Sequence, residues 1–548
     1  MNEKNQVYDY IVIGSGFGGS VSAMRLAEKG YDVLVIEKGK KYEADDFPKS
    51  NWNLRKYLWA PALKWFGFQK LSFFRELFVI SGVGVGGGSL VYANTHLEPP
   101  DEFYENAAWA SFRDWKETLK AHYREAKFML GTTEVNKSYI ADELLEEIAS
   151  DLGREDTYHK VEVGVYFGDT STPKDPYFNG LGPERLGCIE CAGCMVGCRF
   201  NAKNTLDKNY LYFARKFGAS VIAETNVEKV EWIPDEREYR IHTVSSTSWF
   251  AKNPKIYRTT GVVFSGGVLG TLDLLLKQKY KYQTLSDLSD TLGENIRTNS
   301  ESLCGVGAAK QKLNHGVAIS SVFSPDENTQ VELVKYPDGS GAMYRLAIMA
   351  AGDGNAAFRT VKSFINAVLN PVKFFRTIFN FHLATNAVVL LIMQTLDNSM
   401  RMRWKNSLFG GGITLDNRQS GQKRVPAYIP SGQDVMHRFA AKSGGVAQNA
   451  IPEVLFNMAT TAHILGGCPM GATIKEGVVD EQFRVHGYPN MFILDGSIVP
   501  ANPGVNPSLT ITALSEYAMS LVPEKEGNTH VSLFDQLANV SNKPVTFC

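Results

Sequence analysis

An excess of charge of either sign is missing: Lys and Arg number 57 and Asp and Glu 58, for a formal net charge of −1. That balance argues against a nucleic-acid binder, which would carry a basic patch or a high isoelectric point. Cysteine is scarce, with seven in the chain, and Cys304, Cys468 and Cys548 show no framework spacing. A disulfide-stapled secreted domain is therefore not expected. No run of about 18 or more apolar residues occurs, so no spanning helix is expected. The opening "MNEKNQVYDYIVIG" is polar and passes straight into a strand, with no small-residue cleavage site. Together these absences lead us to expect a soluble, cytoplasmic protein.

What remains is a globular composition, 44% hydrophobic and 21% charged over 548 residues. That length exceeds one ordinary core, so two domains are expected. Glycine is plentiful at 49 residues, and much of it is clustered. Such clusters mark tight turns and close backbone approaches to ligands.

The first cluster lies in "YDYIVIGSGFGGSVSAMRLAEKGYDVLVIEKG", which reads as strand, glycine turn, helix, strand. Gly14, Gly16 and Gly19 give G-x-G-x-x-G, with Phe17 and Gly18 between them. The glycines permit the turn, and the helix N-terminus attracts a pyrophosphate. The second strand ends in Glu37, at the distance of some 20 residues where an acid accepts hydrogen bonds from ribose hydroxyls. This is a dinucleotide site for FAD or NAD rather than NADP. The second cluster, "SGVGVGGGSLVYANT" (Ser81 to Thr95), has the small flexible backbone needed to lie against a flat ring or a diphosphate. Gly86, Gly87, Ser89 and Asn94 are its candidate contacts.

Four of the seven cysteines fall together in "LGCIECAGCMVGCRFNAK" (186–203). Cys188, Cys191, Cys194 and Cys198 follow C-x2-C-x2-C-x3-C, the spacing of ferredoxin loops. Arg199 stands where proline is usual. A [4Fe-4S] cluster, a [3Fe-4S] cluster, a structural zinc and plain structural or redox thiols are all open readings.

The closing stretch "AHILGGCPMG…GVVDEQFRVHGYPNMFILDGSIVPANPGVNPSLTITALSEYAM" resembles the glucose–methanol–choline (GMC) flavin oxidoreductases, most closely their cholesterol-oxidase-like branch. "NAKNTLDKNYL" and "VVFSGGVLGTLDLLL" extend the likeness through the middle of the chain. The resemblance implies an FAD enzyme that oxidises CH–OH groups. It implies that His463 is the active-site histidine and that Asn506 is the asparagine paired with it. Asp495 and Gly496 would hold the pyrophosphate and ribityl region, Asn506 and Pro507 the flavin's polar edge, and Val227 the adenine. Chemistry alone agrees: alcohol oxidation by hydride transfer needs the hydroxyl proton removed, and an imidazole does this near neutral pH. An asparagine amide can donate to developing oxygen charge.

Sterol-branch enzymes also use a glutamate to move a proton between ring carbons, converting a 5-ene to a 4-ene. Glu301 and Glu332 are candidates that no motif ties to the site. "CMVGCRFNA" resembles the cluster loop of GMC sugar dehydrogenases, with Asn201 in place of glycine. A cluster there would pass electrons from the flavin to an external acceptor.

The implied fold class is α/β (α+β overall). A Rossmann-like FAD-binding domain (1–100, 200–300 and 460–525) would interweave with a mixed-sheet substrate domain with helices (100–190 and 300–460). "HGVAISSVF" and "NAVVLLIMQTL" read as strands, and the tail after Pro523 as loosely packed. Two aromatic segments, 51–77 and 363–386, interleave Lys or Arg with Trp or Phe. Each is either core helix with snorkelling cations or a lid touching a membrane surface. The expected substrate is a hydrophobic sterol or steroid. A sugar or polyol, a ketosteroid reduced in the opposite direction, a flavin module without turnover and a NAD-dependent dehydrogenase are the alternatives.

Overall fold

The structure is a computed structural model, and it describes residues 6–396, 398–406, 411–416 and 425–541. Cys548 lies outside them. Two large sheets organise the described residues, each of seven strands.

The first grows from the glycine turn. Val33–Ile36 is buried at every position, the signature of a parallel strand covered on both faces. It pairs in parallel with Ser220–Ile222 on one side and Val7–Ile13 on the other. Val7–Ile13 then pairs in parallel with Lys255–Phe264. The C-terminal half of that strand takes Met491–Ile493 as a parallel neighbour, and its N-terminal half begins an antiparallel meander with Glu238–Ser245 and Thr225–Ile233. The parallel strands end together, and their carboxyl ends are where such sheets bind ligands.

The helix Phe17–Glu28 crosses between the first two strands and packs on Ser508–Ser520. Buried Arg25 fixes this helix layer: its guanidinium donates to Glu516 at 2.7 Å, Glu28 at 2.8 Å and Glu125 at 2.5 Å. Tyr210 donates to the same Glu516 at 2.6 Å.

The second sheet is antiparallel throughout, in the order Ala347–Met349, Val446–Ala450, Ser302–Gly307, Val388–Gln394, Thr329–Val334, Ile319–Asp326 and His159–Lys160. Its central strands are buried at nearly every position, because both faces are covered. One face packs under helices Ile140–Asp151 and Pro430–Ser443. The other turns Leu303, Val334, Val389 and Leu391 toward the first sheet.

Two expectations are corrected here. The segment 51–77 is not a long helix: Leu54–Tyr57 is helical, then Trp59–Ala60 pairs with Trp65–Phe66 across a turn with Lys64 at φ 58°. Pro61, with no amide hydrogen, starts that turn. The tail is not loose as far as Ser541, where its described residues end: Leu533 and Leu537 of the helix Leu533–Ser541 are fully buried, and Leu533 N donates to Glu28 at 2.6 Å.

Candidate active site

A cavity of about 520 Å³ runs between the two sheets. One end is built by Gly14, Gly16, Phe17, Gly18 and Glu37, with Val227 beside them and Gly87 opposite. Asp495, Gly496, Asn506 and Pro507 continue the wall, and His463 stands further along it. The chain thus brings together residues from both ends of the sequence.

The turn is built for close approach. Gly14 has φ +100°, and a Cβ there would lie 2.2 Å from the Ser265 carbonyl. Gly16 faces open space, where a ligand can lie against bare backbone. Glu37 buckles the turn, accepting from Ser15 N at 3.1 Å, Ser15 Oγ at 2.8 Å and Gly39 N at 2.8 Å. Asp495 caps the following turn, accepting from Ser497 N at 2.8 Å and from Thr271 Oγ1 at 2.5 Å. Four expected contacts lie behind the wall instead. Gly19 closes on the Gly14 carbonyl, Gly86 N donates to Ser15 Oγ at 3.1 Å, and Ser89 Oγ donates to the Gly86 carbonyl at 2.7 Å. Asn94, at φ 72°, turns back against Cys194, and its neighbours Tyr92, Ala93 and Thr95 reach the cavity.

FAD fits this lining. Helices Phe17–Glu28, Gly267–Lys277 and Ser508–Ser520 all open onto the cavity. None carries a side-chain cap or a first-turn acid. The amide ends of Phe17–Glu28 and Ser508–Ser520 suit a pyrophosphate and an electron-rich ring edge, whereas the first amide of Gly267–Lys277 is taken by Asp495. The Thr95 hydroxyl and Asn506 Oδ1 are buried on this wall with no protein partner.

At the far end two polar heads each rest on a buried carboxylate. His463 Nδ1 contacts Glu301, whose other oxygen accepts from Ala462 N at 2.9 Å. Asn299 Nδ2 lies 3.2 Å from the same ring nitrogen and donates to the Val505 carbonyl at 2.9 Å. Nδ1 being occupied, Nε2 is the nitrogen left for chemistry. Burial disfavours the charged imidazole, but the charge and hydrogen bond of Glu301 outweigh it, so the His463 pKa is raised. Asn506 Nδ2 donates to Glu332 at 3.3 Å. Glu332 is fully buried, its other oxygen has no partner, and desolvation pushes its pKa up to about 7 despite that hydrogen bond.

Sequence reading left Glu301 and Glu332 unplaced. The available signal was one acid inside the apolar strand "VELV". Glu332 shares its strand face with Val334 and pairs in register with Leu391, both of which line the cavity.

In the cysteine loop the metal-cluster reading finds no support. Among the described residues no group of three or more His, Cys, Asp or Glu is placed to hold a metal ion, and Cys188, Cys191, Cys194 and Cys198 are free thiols. Each sulfur has its own engagement. Cys188 accepts from Glu190 N at 3.3 Å, and Cys194 is buried beside Asn94. Cys198 takes the amides of Phe200, Ala202 and Lys203 and faces Lys208; these lower its pKa against the opposing effect of burial. The loop is also pinned to Gly316 through Ala192 N at 2.8 Å. Lys203 Nζ, fully buried, donates to the carbonyls of Leu90 at 3.1 Å, Tyr92 at 2.9 Å and Cys194 at 2.8 Å. It thereby ties the loop to the second glycine cluster.

Fold and site define a flavin-dependent oxidoreductase acting on CH–OH groups. Residues 12–42 match the NAD(P)-binding Rossmann-like domain, and residues 419–515 match the family described as GMC oxidoreductase. The chain is 42% identical over 539 residues to a cholesterol oxidase of Acinetobacter baumannii, covering 96% of each. It is also 42% identical over 534 residues to a cholesterol oxidase of Mycobacterium tuberculosis (strain CDC 1551 / Oshkosh), covering 94% of this chain and 91% of that one. In fold alone it is similar to pyridoxine 4-oxidase from Mesorbium loti, with TM-score 0.59 at 15% identity across 94% of this chain and 99% of that one. The protein belongs to the GMC oxidoreductase family, in its cholesterol-oxidase-like branch, and its cofactor is FAD.

Proposed function

We propose that this protein oxidises the hydroxyl of a bulky hydrophobic secondary alcohol, a 3-hydroxysteroid or sterol, to the ketone, and then isomerises a 5-ene product to the 4-ene. Bound FAD supplies the hydride acceptor. His463 holds the substrate hydroxyl at Nε2 and takes its proton, while Glu301 steadies the ring and the imidazolium charge. Asn506 donates to the oxygen as charge develops there. Glu332 then removes a proton from the ring carbon between carbonyl and double bond and returns it to the far carbon of the original double bond as the new, conjugated double bond forms, so it ends the cycle unchanged. A pKa near 7 suits a group that must both take and give a proton.

The observation that carries this reading is that His463, backed by Glu301, and Asn506, backed by Glu332, face a cavity whose lining includes Val306, Ile319, Val334, Val389 and Leu391 alongside Tyr336, Tyr344, Gln448 and Asn449. A sugar or polyol would need polar side chains where these aliphatics stand. The described cysteines are all free, which supports a cytoplasmic setting. The electrons leave the flavin to dioxygen or another external acceptor.

The test is anaerobic bleaching of the flavin by a panel of 3-hydroxysteroids and polyols, followed by absorbance of the conjugated enone. Steroids should bleach and yield the enone. Bleaching by polyols alone would overturn the substrate class, and ketone without enone would overturn the role of Glu332.

A further inference from the structure

One face of the antiparallel sheet walls the cavity in two rows. Glu332, Leu391 and Leu303 pair side by side in the first, and Val334, Val389, Gly305, Gln448 and Met349 in the second. Side chains two residues apart on a strand share a face, and Leu303, Leu391, Val334, Val389 and Gln448 all border the cavity. Gln448 therefore sets a carboxamide into an aliphatic surface. It stands three strands across and two residues along from Glu332, about 16 Å at the usual strand spacing and rise.

The polar residues around it are already bonded. Asn449, the next residue on the strand, accepts from Ala351 N at 3.0 Å and donates to Gln433 at 2.9 Å. Tyr344 donates to the Ala387 carbonyl at 3.1 Å, and the hydroxyls of Tyr336 and Tyr57 bond each other. The Gln448 carboxamide has no hydrogen-bond partner among the described residues. The sheet also makes room for it. A Cβ on Gly307 would lie 2.3 Å from Gln448 Oε1, so the amide head rests over a bare stretch of the neighbouring strand.

We propose that Gln448 recognises an oxygen function at the far end of the substrate: a ketone or hydroxyl on the D ring, or at the start of the side chain, of a 3-hydroxysteroid. The assignment rests on the substrate reading above and narrows it. A steroid with its hydroxyl at His463 and its isomerising carbons over Glu332, laid along this wall, brings its D ring toward Gln448. The separation of the two rows suits a rigid fused nucleus with a Glu side chain at one end and a Gln side chain at the other. A carboxamide serves both oxygen types, since its NH2 donates to a ketone and its carbonyl accepts from a hydroxyl. A hydrocarbon end there would strip water from the amide and return no bond, which is how a site built to hydrogen-bond rejects an analogue that lacks the group. Gln448 is remote from the reacting atoms, so its effect belongs to binding.

The test uses full-length holoenzyme and two 5-ene 3-hydroxysteroids in the same detergent, identical except that one has a D-ring ketone and the other a methylene. The wild type should favour the ketone about tenfold in kcat/KM. Gln448→Met, similar in length and without the amide, should bring that ratio close to one, through KM for the ketone and not through kcat. Binding without turnover gives a second readout. The 3-keto products of the same pair, titrated by their shift of the flavin spectrum, should differ about tenfold in Kd with the wild type and bind alike to the variant. Equal handling of the pair by the wild type would overturn the proposal whatever the variant does, as would a preference that survives Gln448→Met. Flavin bleaching by both steroids with no preference would leave the substrate class standing and sink the role of Gln448. Bleaching by neither would sink both.

Discussion

His463 and Glu332 show how burial and partners set opposite chemistries a short distance apart. For His463→Ala we expect kcat to fall by about 10²–10⁴-fold with the flavin still bound, read by stopped-flow bleaching. Glu332→Gln should leave oxidation nearly intact and abolish enone formation. Isomerisation in the wild type needs the Glu332 carboxylate, so its rate should fall as pH drops through about 7. Stability runs the other way. The folded-state pKa of Glu332 is raised, so the fold holds an extra proton between the ordinary carboxylate range and about 7. The stabilising contribution of the neutral form is present at low pH and is lost as pH rises through that window. Glu332→Gln should therefore stabilise the protein increasingly from about pH 5 to about pH 8, by up to about 3 kcal/mol, measured as thermal midpoints at the two ends. His463 and Asn506 were legible because they sit in a dense C-terminal pattern. Glu301 and Glu332 were not, because each acid gains its place only when distant strands pair.

Among the elements, the glycine turn and its helix were the most readable, since strand, turn, helix and second strand follow one another in the sequence. Their tolerance is small: a Cβ on Gly18 would lie 1.8 Å from the Leu494 carbonyl. Gly18→Ala should lift the helix from the end of the sheet and lower the FAD content of purified protein at least tenfold by absorbance ratio. The cysteine loop stayed open between cluster, zinc and plain thiols because ferredoxin spacing fixes sequence distance but not where the sulfurs point. Its structural role can be checked through Lys203. Lys203→Met leaves three carbonyls without their donor, at about 1–3 kcal/mol each where they stay dry. It should speed FAD release by loosening Leu90 and Tyr92. The aromatic segments 51–77 and 363–386 were ambiguous for a plain reason: Lys interleaved with Phe suits a core helix and an exposed one equally well. Only the polar bonds beneath the second segment, such as that from Ser363 Oγ to the Met349 carbonyl, decide which way it faces.

At the scale of the whole molecule, neither large sheet is contiguous in sequence. Met491–Ile493 pairs with Val262–Phe264, a partnership that no local pattern announces. Because FAD would bridge such distant segments, its removal should lower the thermal midpoint of the entire protein. Free FAD at about 100 times its Kd should restore about 2.7 kcal/mol, followed by calorimetry.

The crevice has one further consequence. Gly14 and Gly16 leave the ribosome early, but Asp495, Asn506 and the helix Ser508–Ser520 that complete their wall emerge nearly five hundred residues later. Flavin capture therefore waits until the segment from Asp495 to Ser520 has emerged. Until then the nucleotide turn is half-built, so free FAD is needed once that last helix has emerged and not while the segments between are being elongated.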